Sequence, residues 1–281
     1  KLLNKDFDCI IISPGIDINE CKLRSYLKKK SKKIYTDLDI FFNFYSINKN
    51  ITITGTNGKS TTARILYEVL RDQKFDVRLV GNIGNPILLE KNIKNSTIFI
   101  VEASSYQLEY SQLFRSNISA ILNISPDHLE RHKTLKNYIK AKFKLVKNQT
   151  KKDYTILNIN NTYIKREVEL QNFLPKIIKV DKCIDFNIIK KIHNPYFYTD
   201  GIKENLTFVF EIIKLFKIKR NILFLTLKRF KGLSYRQQII YKTKKLTIIN
   251  DSKATSFSSS ESLLKSLPNA KTISPKRRIM P

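Results

Sequence analysis

Apolar residues recur along this chain in two patterns that alternate. Short runs rich in β-branched residues predict buried strands, and longer stretches with apolar residues three and four apart predict amphipathic helices. From residue 51 onward the two kinds of segment alternate, which is typical of an α/β fold with a mostly parallel sheet covered by helices. The strands predicted for this sheet are 51–54, 77–80, 97–103, 118–124 and 154–158.

The segment before this region is short. Its pattern predicts a buried strand at 7–12, a basic helix within 24–33 and a short strand at 32–35. These elements are too few for a complete nucleotide-binding domain, so we expect them to be the last part of one.

The segment after the sheet is patterned unevenly. Residues 171–194 carry no clear period, whereas 204–216 predict a helix and 230–233 a hinge. A hairpin is predicted from 237–241 and 246–249, and the polar run Asn250-Asp-Ser-Lys-Ala-Thr255 directly follows it. This run is either part of a site or a surface turn with a helix cap.

The most specific local motif is Gly55-Thr-Asn-Gly-Lys-Ser60, between a predicted strand and an amphipathic helix. Its glycines let the backbone present N–H groups to an anion, Lys59 adds a positive charge, and Ser60 or Thr61 can place a hydroxyl on Mg²⁺. The strict pattern G-x-x-x-x-G-K-[ST] requires glycine where this chain has Ile53, so the loop is a shorter variant. The alternative is a surface loop that matches by chance.

Two further polar groups follow strands of the predicted sheet. Glu102 lies near the end of an apolar strand, and Asp127-His128 comes just after the next one. Because ligands gather at the carboxyl ends of parallel strands, we expect both groups to face the phosphate loop and to share Mg²⁺ with Ser60. The alternatives are a carboxylate exposed at a strand end and a histidine hydrogen-bonded to the backbone at a helix start.

The helix predicted over residues 135–147 places one lysine among apolar residues. Its other lysines cluster on one face, whereas Lys142 projects into the apolar arc that includes Tyr138 and Phe143. Burial disfavours an ammonium ion, so this amine must pair or lose its proton, unless it snorkels at the helix edge. A neutral amine can react with CO₂ to give a carbamate, an anion able to hold a second Mg²⁺.

Composition narrows the function classes. The formal net charge is +28, but the lysines are spread through nearly every segment and no nucleic-acid-binding motif accompanies them, so we expect no nucleic-acid partner. The three cysteines have neither disulfide nor zinc spacing, and no membrane-spanning run or signal peptide is visible. A cytoplasmic location without membrane insertion is therefore expected. The first residue is Lys1 rather than methionine, which suggests a fragment.

Six motifs occur in a fixed order: Gly55-Thr-Asn-Gly-Lys-Ser-Thr61, Gly81-Asn-Ile-Gly84, Glu102-Ala-Ser-Ser-Tyr-Gln-Leu-Glu109, Asn123-Ile-Ser-Pro-Asp-His-Leu-Glu-Arg-His132, Tyr138-Ile-Lys-Ala-Lys142 and Asn250-Asp-Ser-Lys-Ala-Thr255. Together they resemble the motifs of the Mur ligases. Within that family they are most similar to the enzymes that add D-glutamate to UDP-N-acetylmuramoyl-L-alanine.

The resemblance implies a role for each matching residue. It implies that ATP lies on Gly55, Thr56, Asn57, Gly58, Lys59, Ser60 and Thr61, and that Asn205, Arg236, Asp251 and Lys253 surround the nucleotide. It implies two Mg²⁺ ions held by Ser60, Glu102, His128 and a carbamylated Lys142, with Lys59, Lys142 and His128 as the catalytic residues. The substrate-binding residues that it implies are Ser13, Asn82, Ser104, Gln107 and Thr255.

The implied reaction is an ATP-dependent ligation in peptidoglycan precursor synthesis. ATP phosphorylates the carboxylate of UDP-N-acetylmuramoyl-L-alanine, and the amine of D-glutamate then attacks the acyl phosphate. The resemblance implies a monomer in which remnants of two Rossmann-like domains flank a central ATP-binding domain. The implied divisions are the end of a UDP-binding domain at 1–38, the ATP-binding domain at 39–232 and the start of an amino-acid-binding domain at 233–281.

Two positions depart from the family pattern. Gly201-Ile-Lys-Glu204 stands where the family has a His-Asn pair, and Ser256 stands where it has asparagine. The alternatives are another Mur ligase or an amide ligase similar to folylpolyglutamate synthase, a non-catalytic nucleotide-binding remnant, and a basic NTPase associated with nucleic acid. ATP turnover that requires both D-glutamate and the UDP-linked acid would favour the ligase.

Overall fold

The computed structural model describes residues 6–243, 246–254, 261 and 264. Its strands belong to three sheets. They are β1 (Ile10–Ile11), β2 (Ile34–Tyr35), β3 (Asn50–Thr54), β4 (Val77–Gly81), β5 (Ile98–Glu102), β6 (Ile118–Ile121), β7 (Tyr154–Asn158), β8 (Lys176–Val180), β9 (Gln238–Lys242) and β10 (Thr247–Asn250).

The helices fill the connections between these strands. They are α1 (Arg24–Lys29), α2 (Asp37–Phe44), α3 (Lys59–Asp72), α4 (Ser105–Tyr110), α5 (Leu129–His132), α6 (Leu135–Lys147), α7 (Thr162–Leu170), α8 (Phe186–Ile192), α9 (Asp200–Ile213) and α10 (Arg220–Arg229). Short 3₁₀ turns occupy Ser31–Lys33, Ile87–Leu89 and Pro195–Tyr198. Among the described residues, none of the helices has both the length and the apolarity that crossing a bilayer requires.

The main sheet has six strands, all parallel, in the order β4-β5-β3-β6-β7-β8. β3 is buried along its whole length, because a central strand of a parallel sheet is covered on both faces. The chain leaves β3 toward β4 on one side and later returns to β6 on the other side. Such a reversal of direction opens a crevice at the carboxyl ends of the strands.

Helices cover the two faces of this sheet. On one face, Leu66 of α3, Val209 of α9 and Leu227 of α10 belong to the same core cluster as the inner side chains of β3. On the other face, Phe41 of α2 and Phe143 of α6 are buried in two further clusters. Burying an apolar side chain of this size contributes about 1.5 to 3 kcal/mol, so the two layers fix the sheet from both sides.

The smaller sheets lie at the two ends of the chain. β1 and β2 pair in parallel, and the segment between them is fastened to the main body by a hydrogen bond of 2.7 Å from Arg131 Nη2 to the Ile16 carbonyl. β9 and β10 form the predicted antiparallel hairpin, with a register shift between Ile248 and Ile249. The predicted domain boundary at residue 39 falls inside α2, and the three-domain division stays a prediction.

The structure confirms the predicted α/β fold and its parallel strands, and it adds elements that the pattern did not predict. Residues 171–194 contain β8 and α8. β8 was missed because it is the outermost strand of the sheet, where Lys176 and Lys179 are exposed and break the apolar run. α10 was missed because apolar residues on several of its faces blur the helical period.

Two predicted helices have different bounds. The basic helix expected within 24–33 ends at Lys29 and continues as a 3₁₀ turn over Ser31–Lys33. The helix expected to begin at Glu204 begins at Asp200, and it ends at Ile213.

Candidate nucleotide and metal site

The phosphate loop joins the carboxyl end of β3 to the start of α3. The segment after β6 holds this loop, because Asn123 accepts hydrogen bonds from the Thr56 N–H with its carbonyl (2.9 Å) and from the Asn57 N–H with its side chain (2.8 Å). Gly58 has a φ of +83°, and a Cβ there would lie 2.0 Å from the Asn205 side-chain oxygen. The turn therefore requires glycine, and the helix that starts at Lys59 has its first N–H groups at the loop, where an anion can bind.

Two lysine amines meet at this loop. Lys59 Nζ donates to the carbonyls of Gly55 (2.9 Å) and Thr56 (2.7 Å), and Lys142 Nζ donates to the same Gly55 carbonyl (2.8 Å). Burial lowers the pKa of Lys59, although the negative charge of Glu102 opposes that change. Burial and then the positive charge of Lys59 hold the pKa of Lys142 well below its ordinary value. The amine of Lys142 is therefore inclined to be neutral.

The side chain of Lys142 is only 1% exposed, which confirms the position predicted from the helix pattern and shows that the snorkelling alternative is wrong. The ring of Tyr138 lies 4.6 Å from its amine. The Tyr138 hydroxyl is 3.0 Å from the Thr56 hydroxyl, so this tyrosine joins α6 to the phosphate loop. Burial raises the pKa of Tyr138, which keeps its hydroxyl protonated.

Glu102 is paired with Ile53 in the sheet and lies beside the phosphate loop. It is 1% exposed, so the alternative of an exposed carboxylate at a strand end is wrong. One oxygen accepts a hydrogen bond of 2.9 Å from the Asn82 amide, whereas Oε2 is buried with no hydrogen-bond partner among the described residues. Leaving a buried acceptor unpaired costs about 1 to 3 kcal/mol, and more for a charged group, so a bound cation fits here.

His128 lies at the rim of the same crevice, at the start of α5, with a φ of +53°. Its side chain is 40% exposed, with Nε2 at 3.4 Å from Asp127 Oδ2 and Nδ1 at 3.6 Å from Glu130 Oε1. The structure thus confirms the helix-start position but places the imidazole between two carboxylates, and its role as a metal ligand stays a prediction.

The protein offers few metal ligands at this site. In the part of the chain that the structure describes, no three His, Cys, Asp or Glu side chains cluster closely enough to hold a metal ion. Mg²⁺ commonly takes one or two carboxylates and completes its shell with phosphate oxygens and water. The buried hydroxyl of Ser60 and the unpaired oxygen of Glu102 fit that kind of site.

A cavity of about 440 Å³ opens beside the phosphate loop. Its volume is in the range that small-molecule sites occupy. Residues predicted to bind the nucleotide line this cavity. They are Asn57, Gly58 and Thr61 of the phosphate loop and α3, together with Asn205, Arg236 and Asp251. Burial raises the pKa of Asp251, whose Oδ2 is buried with no hydrogen-bond partner among the described residues.

Several cavity residues were not assigned a role from the sequence. They are Asn123, Asn158, Asn160, Asn161, Tyr196 and Glu204, among others. The available signal was the asparagine-rich turn at the end of a predicted strand, since such a turn lies at the carboxyl edge of the sheet.

The predicted substrate residues are placed less uniformly. Asn82 contacts Glu102, but Ser104 and Gln107 bond to each other in a capping box at the start of α4, and the Gln107 amide donates to Asp37 Oδ2 at 3.1 Å. Ser13 is exposed after β1, and no side-chain hydrogen bond joins it to the other site residues described here.

Two predicted site residues lie away from the cavity or beyond the described ranges. Lys253 is exposed, with its amine 5.8 Å from the ring centre of Tyr235, and it does not line the cavity. Thr255 lies outside the described residues.

Residues 53–219 match the family described as the Mur ligase middle domain. The match covers more than half of the chain. The chain belongs to the Mur ligase family. Its parallel sheet, phosphate loop and buried Lys142 are thus those of a Mur ligase middle domain.

Curated relatives of this Mur ligase chain include two UDP-N-acetylmuramoylalanine–D-glutamate ligases. That of Francisella tularensis subsp. novicida is 33% identical over 270 residues, covering 95% of this chain and 62% of the relative. That of Lachnoclostridium phytofermentans is 32% identical over 291 residues, covering 94% and 62%. The chain thus spans 62% of the length of these relatives.

Solved structures share the fold at much lower identity. MurF ligase from Thermotoga maritima, in complex with ADP, has a TM-score of 0.63 and 15% identity, covering 93% of this chain and 66% of that one. Escherichia coli FolC, in complex with DHPP and ADP, has a TM-score of 0.56 and 14% identity, covering 92% and 77%. These likenesses show that the shared fold extends beyond the residues that match the middle domain.

Proposed function

We propose that this chain carries the nucleotide-binding and acid-activating site of an ATP-dependent ligase that adds D-glutamate to UDP-N-acetylmuramoyl-L-alanine in peptidoglycan precursor synthesis. The names of the curated relatives support the substrates. The observation that carries the proposal is the convergence of Lys59 and Lys142 on one carbonyl of the phosphate loop, beside the buried Glu102.

The first task of such a site is to bring two anions together. The carboxylate of the substrate and the γ-phosphate of ATP repel each other by about 4 kcal/mol per pair of unit charges at 4 Å, for an effective dielectric constant near 20. Lys59 and the first N–H groups of α3 offset part of this repulsion at the phosphate loop. The γ-phosphoryl group then passes from ATP to the carboxylate and leaves ADP, and the neutral amine of D-glutamate displaces phosphate from the acyl phosphate and loses a proton as the amide forms.

The second task is to hold divalent cations. Mg²⁺ ions, when bound, neutralise phosphate charge and orient its oxygens. Ser60, the unpaired oxygen of Glu102 and a carbamylated Lys142 would hold two of them, and His128 would contact an ion or the substrate at the rim. For the carbamate, the Lys142 nitrogen forms a bond to the carbon of CO₂ and releases one proton to solvent, and the lowered pKa of this amine favours that step.

The remaining predicted residues bind the other parts of the substrates. Asn205, Arg236 and Asp251 surround the nucleotide in the cavity, and Lys253 reaches it when the C-terminal hairpin closes. Asn82, Ser104, Gln107 and Ser13 line the path of the UDP-linked substrate, and Thr255 lies near the incoming glutamate. Closure also excludes water that would hydrolyse the acyl phosphate. We propose that the enzyme acts as a cytoplasmic monomer.

The decisive test is substrate-dependent ATP turnover by the complete gene product. We expect phosphate release only when UDP-N-acetylmuramoyl-L-alanine and D-glutamate are both present, and we expect other amino acids in a panel to support little release. Lys142→Ala is expected to lose activity and to regain part of it with a small added carboxylate, whereas Lys140→Ala, at an exposed position of the same helix, is expected to stay active. Turnover stimulated by DNA or RNA, or independent of D-glutamate, would contradict the proposal.

A further inference from the structure

The wall of the cavity carries a carboxylate for which the proposed reaction has no use. Glu204 lies on α9, half-buried, and its Oε1 accepts a hydrogen bond of 2.5 Å from the Asn158 amide. The side-chain oxygen of Asn158 accepts in turn from the Asn160 N–H at 3.0 Å. Both side chains line the cavity, and Asn158 is buried at the carboxyl end of β7.

The charge of Glu204 is not balanced by a protein cation. Within the described residues it forms no ion pair, and Asn158 is its one recorded hydrogen-bond donor. Burial raises the pKa of Glu204, and the hydrogen bond from Asn158 opposes only part of that rise. A half-buried carboxylate in a ligand-sized cavity is stabilised when a ligand brings its own N–H donor.

Glu204 and Asn158 lie where the nucleoside of a bound nucleotide would be, away from its phosphates. β7 is two strands away from β3, so at about 4.8 Å per strand it lies about 10 Å from the phosphate loop. Phosphates bound at Gly58 would therefore leave the nucleoside over β6 and β7. The buried side chains of Ile124 and Ile202 line the same cavity and offer an apolar surface to a base.

This inference rests on the proposed function. We propose that Glu204 is a specificity-determining residue that accepts a hydrogen bond from the exocyclic amino group of the adenine base, and that Asn158 is a positioning residue that fixes the carboxylate. A base with a carbonyl in place of that amino group would set two acceptor oxygens against each other.

Inosine triphosphate tests the contact, because it replaces the amino group of ATP by a carbonyl. Binding of the two nucleotides to this chain, measured by titration calorimetry, requires no ligase activity. We expect the wild-type chain to bind ATP about 10- to 100-fold more tightly than inosine triphosphate. In Glu204→Gln, whose amide can both donate and accept, the ratio is expected to fall below about threefold. Asn158→Ala is expected to lower the ratio as well, with triphosphate binding retained.

Glu211→Gln is the matched control, because Glu211 lies on the same helix, pairs with Lys214 and does not line the cavity. It is expected to keep the wild-type ratio. Equal binding of the two nucleotides by the wild-type chain, or an unchanged ratio in Glu204→Gln, would overturn the inference and leave the proposed ligase intact. Failure of the wild-type chain to bind either nucleotide would overturn both.

Discussion

Two carboxylates of this protein are equally buried but differ in how many hydrogen bonds the protein donates to them. Asp39 and Glu102 are each 1% exposed. Asp39 Oδ1 accepts from the Ser111 hydroxyl at 2.7 Å and from three consecutive backbone N–H groups, those of residues 112–114. Its Oδ2 accepts from the Thr36 N–H at 2.9 Å. Glu102 has one hydrogen bond, from Asn82, and its second oxygen has none among the described residues.

The same contrast separates two lysines of α6. Lys144 donates to the carbonyls of Glu109 and Ser111 and fastens α6 to the C-terminal end of α4. Lys142, two residues earlier, shares the Gly55 carbonyl with a second amine. A buried charge that the protein completes on its own stabilises the fold, whereas one that it leaves incomplete is available to a ligand. Asp39 is a charge of the first kind. Glu102 and Lys142, beside the phosphate loop, are of the second kind.

The largest difference is expected when each carboxylate is removed in turn. Asp39→Ala is expected to lower the free energy of unfolding by about 3 to 5 kcal/mol, because several buried donors lose their acceptor at once. Glu102→Ala is expected to lower it by less than about 1 kcal/mol, since only the exposed Asn82 amide loses a hydrogen bond and Lys59 loses a nearby negative charge. Urea denaturation of both variants measures the difference. Equal losses would show that the two sites are alike.

The second prediction concerns the pH dependence of stability that a buried histidine causes. His132 is 3% exposed, its Nε2 is 3.0 Å from the Ser105 hydroxyl, and burial together with the charge of Arg131 lowers its pKa to about 4. Between the ordinary value of 6.5 and about 4, the unfolded chain binds the proton and the folded chain does not, so stability falls as the pH falls through this window. We expect a loss of about 3 kcal/mol.

His132→Phe is expected to remove most of this acid sensitivity. The measurement is the free energy of unfolding from urea titrations between pH 4 and pH 7. Acid sensitivity that persists in His132→Phe would show that other groups cause it.

The smallest effect concerns Lys142. Its lowered pKa means that, below the ordinary value of 10.5, the unfolded chain holds a proton that the folded chain lacks. The stability of the wild-type chain should therefore rise with pH up to that value, by at most about 1.4 kcal/mol per pH unit relative to Lys142→Met. Urea denaturation in CO₂-free buffers between pH 8 and pH 10 measures this slope. Parallel pH profiles for the two proteins would contradict the account.

The sequence predicted what depends on local periods. The strands of the sheet followed from short apolar runs, and the burial of Lys142 followed from its place in the helix pattern. β8 was missed because exposed lysines on an outer strand break the run that a buried strand shows. The pairing of Asn158 with Glu204 was missed because the two residues are 46 positions apart and meet only through the fold.

Ser104 and Gln107 have a local role that the sequence analysis did not predict. The family resemblance implied contacts with a substrate, which stays a prediction, and the structure shows the two side chains bonded to each other as a helix cap. The same side chains serve either purpose, because a capping box and a substrate site both need short polar groups at a helix start.

The most direct test of the central idea is whether the Lys142 amine is neutral and reactive in the folded protein. ¹³C NMR of the chain in buffer containing ¹³C-bicarbonate detects a carbamate as a protein-bound carbonyl signal. We expect one such signal, absent in Lys142→Met and retained in Lys144→Met. A spectrum with no carbamate, or a signal that persists in Lys142→Met, would contradict it.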